Sequence, residues 1–89
     1  MTEKELEQQC TQIARSQGWR AVKLEKNAHK GIPDRLFISK NGICRFVEFK
    51  NPNKKGRIST CQRYWIDFLG FSCLVCSDYE EFKEFLGIK

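Results

Sequence analysis

The sequence predicts a small α/β protein: one mixed sheet flanked by helices, in the order α-β-β-β-α-β-α over a single domain, residues 1–89. Three observations predict it. Two helix-start signatures, Thr2…Glu5 and Ser59…Gln62, each open an apolar stripe at helical spacing. A hairpin signal, Lys40-Asn41-Gly42, separates two strand-like runs. A third apolar run, "FSCLVC", returns after the second helix.

The first helix starts at Thr2 and carries Leu6, Cys10, Ile13, Ala14 and Gln17 on one stripe, with Gly18 ending it. "WRAVKL" (19–24) alternates and reads as a strand. "EKNAHKGIP" (25–33) is a polar loop. "DRLFIS" (34–39) and "ICRFVEFK" (43–50) are the hairpin strands, and "NPNKKGRI" (51–58) is a basic loop. The second helix points Cys61, Tyr64, Trp65, Phe68 and Leu69 inward and closes at Gly70. "FSCLVC" (71–76) is the fourth strand. Ser77-Asp78 caps a last helix with Tyr79, Phe82, Phe85 and Leu86 inward and Glu80 and Glu81 in its first turn. Trp19 and Trp65 read as core or subunit-interface residues.

No apolar run approaches the roughly 20 residues of a membrane span, and "MTEKELEQQC" lacks the apolar stretch of a signal peptide. Five cysteines, an odd number, argue against a disulfide framework. Cys73 and Cys76 are three apart in a strand, on opposite faces, and make a poor chelating pair. A reducing, cytoplasmic setting is the expectation. Residues 15–63 hold thirteen Lys/Arg against three acids, while the remainder holds three Lys against eight acids. A basic centre of this kind fits a polyanion, most simply nucleic acid. A solvated basic face is the plainer alternative.

"VEFK" (47–50) sets an acid and a base inside an apolar run, where isolated charges are expensive unless paired or bound to metal. The hairpin register decides their surroundings. A two-residue loop would set Asp34 opposite Phe49. A three-residue loop, Lys40-Asn41-Gly42, sets Asp34 directly opposite Glu48 on one face, and Gly42 suits its left-handed position. Directly opposed residues have Cβ atoms roughly 4.5–5.5 Å apart, where two carboxylates repel. A divalent cation between them reverses the sign. Lys50, two residues on, shares that face. Oxygen-rich sites suit Mg²⁺ or Mn²⁺, and the chemistry they point to is phosphodiester hydrolysis.

Pro33-Asp34 followed by Glu48-Phe49-Lys50 resembles the PD-(D/E)xK nuclease superfamily. "GIPDRLF", then "VEFK", then Gln62 on the next helix, resembles more narrowly the VRR-NUC family, the virus-type replication-repair nucleases, from the first helix to the fourth strand. The resemblance implies a restriction-endonuclease-like core. It implies Asp34 and Glu48 as catalytic metal ligands, the backbone carbonyl of Phe49 as a further ligand, Lys50 as the catalytic lysine and Gln62 near the site. It also implies a first-helix glutamate at the metal. Of Glu3, Glu5 and Glu7, Glu5 is used by the capping box and Glu3 sits at a fraying end. Glu7, about 20° from Ala14 at 100° per residue, is the choice. A favourable charge near a helix N-terminus is its plainer role.

Lys30, Arg35, Lys54, Lys55 and Arg57 flank the site in sequence and read as phosphate-backbone contacts. His29 reads as an exposed loop residue. Gln62 serves as the partner of Ser59 whether or not it also serves the site. The expected function is a metal-dependent DNA endonuclease, selective for junction, flap or branched DNA. It acts as a homodimer, because cutting two strands takes two copies of one site. A non-catalytic nucleic-acid-binding module of the same fold, or a domain binding an acidic protein, are the alternatives.

Overall fold

The computed structural model describes residues 1–53 and 57–89. Helix α1 spans Glu3–Ser16. Its capping box is complete: Glu5 N–H donates to Thr2 Oγ1 (3.1 Å) and Thr2 N–H to a Glu5 carboxylate oxygen (2.8 Å). At the other end Gly18 takes φ +86°. Gly18 N–H bonds Arg15 C=O and Trp19 N–H bonds Ala14 C=O, the paired bonds of a Schellman termination. Gln17, expected on the buried stripe, is the exposed C-cap instead. The stripe ends one turn earlier because the chain has already begun to leave the helix.

Strands β1 (Arg20–Lys23), β2 (Arg35–Ile38), β3 (Cys44–Phe49) and β4 (Cys73–Cys76) form one sheet in the order β1-β2-β3-β4. β1 and β3 run antiparallel to β2, and β4 runs parallel to β3. A parallel pair needs a crossover, which helix α2 (Thr60–Leu69) provides. Helix α3 (Tyr79–Leu86) follows β4, its N-cap Asp78 accepting from Glu81 N–H. The element order is the expected one, in a mixed sheet flanked by helices.

The β2–β3 register pairs Arg35 with Val47 and Leu36 with Phe46, the register of the three-residue loop. Gly42 has φ +81°, and its N–H bonds Ser39 C=O at 3.0 Å. Ser39 N–H donates to Ile43 C=O, while Ile43 N–H turns to Ser39 Oγ.

Strand period divides the sheet into two unequal faces. One carries Phe37, Val47 and Phe49, all fully buried against Leu6, Cys10 and Ala14 of α1 and Phe82 and Leu86 of α3. Phe82 meets Phe37 edge-on at 5.1 Å between centroids. The other face carries Glu48 and receives α2. Here the apolar stripe expected for α2 is covered only in part: Cys61, Trp65 and Leu69 are half-buried, whereas Tyr64 and Phe68 are 64% and 72% exposed. Helical period identifies an apolar face but not what covers it. The expected fourth strand also starts late, since Gly70–Ser72 form a 3-10 turn that leaves Phe71 fully exposed.

Candidate active site

Asp34 and Glu48 are buried, at 8% and 4% exposure. The register that pairs Arg35 with Val47 sets them opposite each other one step further along the hairpin. Both are fixed by the fold. Asp34 Oδ2 accepts the backbone N–H of Phe49 at 2.8 Å, so β3 itself orients this carboxylate. Glu48 Oε2 accepts from Gln62 Nε2 at 2.9 Å and lies 3.5 Å from Lys50 Nζ. Gln62 Oε1 accepts from Lys50 Nζ at 3.3 Å and from Ser59 N–H at 2.9 Å. One amide therefore completes a capping box and ties helix α2 to the acid and the lysine of β3.

Lys26 is the residue that the sequence did not reveal. Its Nζ lies 2.9 Å from Asp34 Oδ1 and 3.4 Å from Glu48 Oε1, spanning both carboxylates. A lone lysine in a polar loop carries no periodic signal. The available signal was electrostatic: two opposed buried carboxylates require a neighbouring cation. Burial works to lower the Lys26 pKa, but its hydrogen bond to Asp34 and the charges of Asp34 and Glu48 raise it overall. Burial and the Asp34 charge raise Glu48, against the opposing pull of Lys26 and Lys50.

Gly31 seats the loop that brings Lys26 in. At φ +82°, a Cβ there would lie 2.4 Å from the Cys61 backbone carbon. The loop also accepts Trp65 Nε1–H at Lys30 C=O (3.2 Å), and His29 meets the Trp65 ring edge-on at 5.7 Å. His29 is exposed, as expected.

Glu7 is not brought to this pair. Its Oε2 lies 2.7 Å from Arg35 Nε and 2.9 Å from Lys23 Nζ. Those two residues pair across β1 and β2, and alternation turns their side chains to the face opposite Asp34. Arg35 is thereby engaged by an acid, whereas Lys30 and Arg57 are exposed. Lys54 and Lys55 lie outside the described residues.

Among the described residues, no three His, Cys, Asp or Glu side chains group to hold a metal. The donor set is two carboxylates beside a backbone carbonyl-bearing strand, which suits an ion that keeps several waters. The Lys26 ammonium shows that the space between the carboxylates accepts a cation. The residues fit a hard divalent ion on those terms. All five cysteines are free, and no helix among the described residues is long and apolar enough to cross a membrane.

Comparison with curated proteins found no match. The family model of the VRR-NUC domain matches residues 1–77, which run from the N-terminus through β4 and stop short of α3. With a match over most of its length, in a fold that sets Asp34, Glu48 and Lys50 together, the chain belongs to the VRR-NUC family and carries a nuclease-type domain.

Proposed function

We propose that this chain is a Mg²⁺- or Mn²⁺-dependent DNA endonuclease, its 89 residues acting as one domain and two copies acting together on branched or otherwise structured DNA. The observation that carries the reading is the opposed, buried Asp34–Glu48 pair with one cation spanning both acids. Asp34, Glu48 and the backbone carbonyl of Phe49 would hold the metal. When bound, the ion would polarise a phosphodiester oxygen and supply a more acidic water.

The remaining roles belong to the chain. Phe49 N–H holds one oxygen of Asp34, and the other, Oδ1, faces the cation between the acids, here the Lys26 ammonium. Gln62 fixes Glu48 and steadies Lys50 from the helix side. Lys50, at 3.5 Å from Glu48, orients the attacking water or stabilises charge on the phosphorane-like transition state. Lys30, Arg57, Lys54 and Lys55 add sequence-independent contacts to phosphates, which makes binding salt-dependent. So small a domain has little room for base readout, and DNA shape or branching is the expected determinant.

The test is incubation of purified protein with junction, flap and duplex DNA in Mg²⁺, Mn²⁺ or EDTA. Cutting in either metal, lost in EDTA and in Asp34→Ala, is the expected result. Cutting that survives EDTA would reject the metal site. Lys26 favours one second reading, a non-catalytic nucleic-acid-binding module, because it already neutralises the acids. A gel shift without cutting in either metal would select that reading.

A further inference from the structure

Gln8, Thr11, Gln12 and Arg15 follow one another at helical spacing along one flank of α1. With Arg35 of β2 they line a cleft of about 320 Å³. A second cleft, of about 460 Å³, shares Arg15 and adds Arg20 of β1. Lys40 lies against Gly18 of this second cleft, its Nζ 3.6 Å from where a Cβ on Gly18 would sit. Lys23 and Glu7 stand beside Arg35. The band thus sets five cations, Arg15, Arg20, Lys23, Arg35 and Lys40, against the single acid Glu7. Alternation puts Arg35 on the face of the sheet opposite Asp34, so the band is separate from the Asp34–Glu48 site.

Two details set the band apart from a solvated basic face. Thr11, on the smaller cleft, is only 4% exposed, yet its hydroxyl has no hydrogen-bond partner among the described residues. A buried hydroxyl left unpaired costs stability, and a ligand oxygen would accept from it. Arg35, on the same cleft, is only partly used. Glu7 takes Nε alone, at 2.7 Å, and the two terminal amino groups of the guanidinium have no acceptor among the described residues. That fork matches the spacing of phosphate oxygens. A helix C-terminus repels anions, but here the nearby carbonyls of Ala14 and Arg15 already accept from Trp19 and Gly18 N–H. We propose that this band is a second phosphate-binding site, which seats adjacent phosphate groups in two clefts that meet at Arg15. The ligand is a run of linked phosphates, a chemistry that a nucleic-acid strand and a free polyphosphate share. Neither the metal nor cleavage at Asp34–Glu48 enters into it.

Calorimetric titration of the full-length protein with tripolyphosphate, and fluorescence anisotropy of a labelled single-stranded oligonucleotide, test this with no divalent ion present. Arg15→Ala, at the junction of the clefts, should weaken binding at least about tenfold. Thr11→Val keeps the side-chain shape and removes the hydroxyl. It should weaken binding about fivefold without lowering the Tm, since no contact within the chain is lost. On the oligonucleotide, Arg15→Ala and Arg20→Ala should each reduce the slope of log affinity against log salt by roughly 0.7–1. Arg63→Ala, which removes an exposed arginine of α2, is the control and should change neither titration. Tripolyphosphate binding that falls in Arg15→Ala, with oligonucleotide binding unmoved, assigns the site to free polyphosphate. Oligonucleotide binding that falls in Arg15→Ala, with no tripolyphosphate bound, assigns it to a strand. Either result upholds the site. Absence of binding to both ligands would overturn it, as would binding unmoved by Arg15→Ala and Thr11→Val, or an equal loss in Arg63→Ala. Failure of the cleavage assay leaves these outcomes unaffected, and failure here leaves the Asp34–Glu48 site as it is.

Discussion

Lys26 Nζ sits 2.9 Å from Asp34 Oδ1 and 3.4 Å from Glu48 Oε1, so a side chain from the loop before β2 holds the space between the two carboxylates. Lys26→Met removes that counter-ion from two buried acids. Breaking a fully buried ion pair costs several kcal/mol. The Lys26 side chain is 43% exposed, so screening reduces the expected loss to about 1–2 kcal/mol. Metal binding should move the other way, because a competing ammonium is gone. Urea unfolding in EDTA and calorimetric titration with Mn²⁺ measure the two effects. Equal Mn²⁺ affinity in both proteins would mean that Lys26 and the ion do not compete.

Glu48 gives a case where stability and activity should part. Its pKa is raised by burial and by the Asp34 charge, so at neutral pH its ionised form weighs against the fold. Glu48→Gln removes that charge and leaves a carbonyl able to accept from Gln62. Folding in EDTA should become more stable, by about 1 kcal/mol, while metal-dependent cleavage is lost. A destabilised, inactive Glu48→Gln would show that the ion pairs of Glu48 outweigh its desolvation.

The opposed acids were legible before any coordinates because a hairpin register follows from loop length, and Gly42 chose the loop. The caps at Thr2, Ser59 and Asp78 were legible for a similar reason: each lies within four residues of its partner. Contacts between distant segments were not. Lys26 reaches the acids from a loop that packs against Cys61 at Gly31, and no local pattern records that approach. The partner of the α2 stripe was equally hidden, since period 3.6 says that a face is apolar and not which surface it meets.

Gly31→Ala tests the loop's seat. The new methyl would meet Cys61 backbone and side-chain atoms at 2.4–2.7 Å, with φ at +82°. Neither the clash nor the left-handed backbone can relax locally, since the neighbouring atoms belong to a helix. A loss of roughly 2–3 kcal/mol is expected. Because Lys30 C=O accepts from Trp65 Nε1–H, the emission of Trp65 in a Trp19→Phe background should shift with it. A Gly31→Ala protein of unchanged stability and emission would mean that the loop does not rest on α2.

Glu7 sets a pH dependence remote from the two acids. Burial alone would raise its pKa, but hydrogen bonds from Arg35 and Lys23 and their charges bring it below the ordinary glutamate value of 4.5. A carboxylate depressed on folding adds stability that is fully present above its unfolded pKa and lost as pH falls through the folded one. The window therefore begins near pH 4.5 and extends downward. Glu7→Gln should cost about 1 kcal/mol at pH 7 and progressively less in that window, so the two proteins converge in acid. Denaturant midpoints from pH 7 to pH 2.5 measure the convergence. If Glu7 served the metal instead, Glu7→Gln would weaken Mn²⁺ binding and leave the acid limb of the stability curve unchanged.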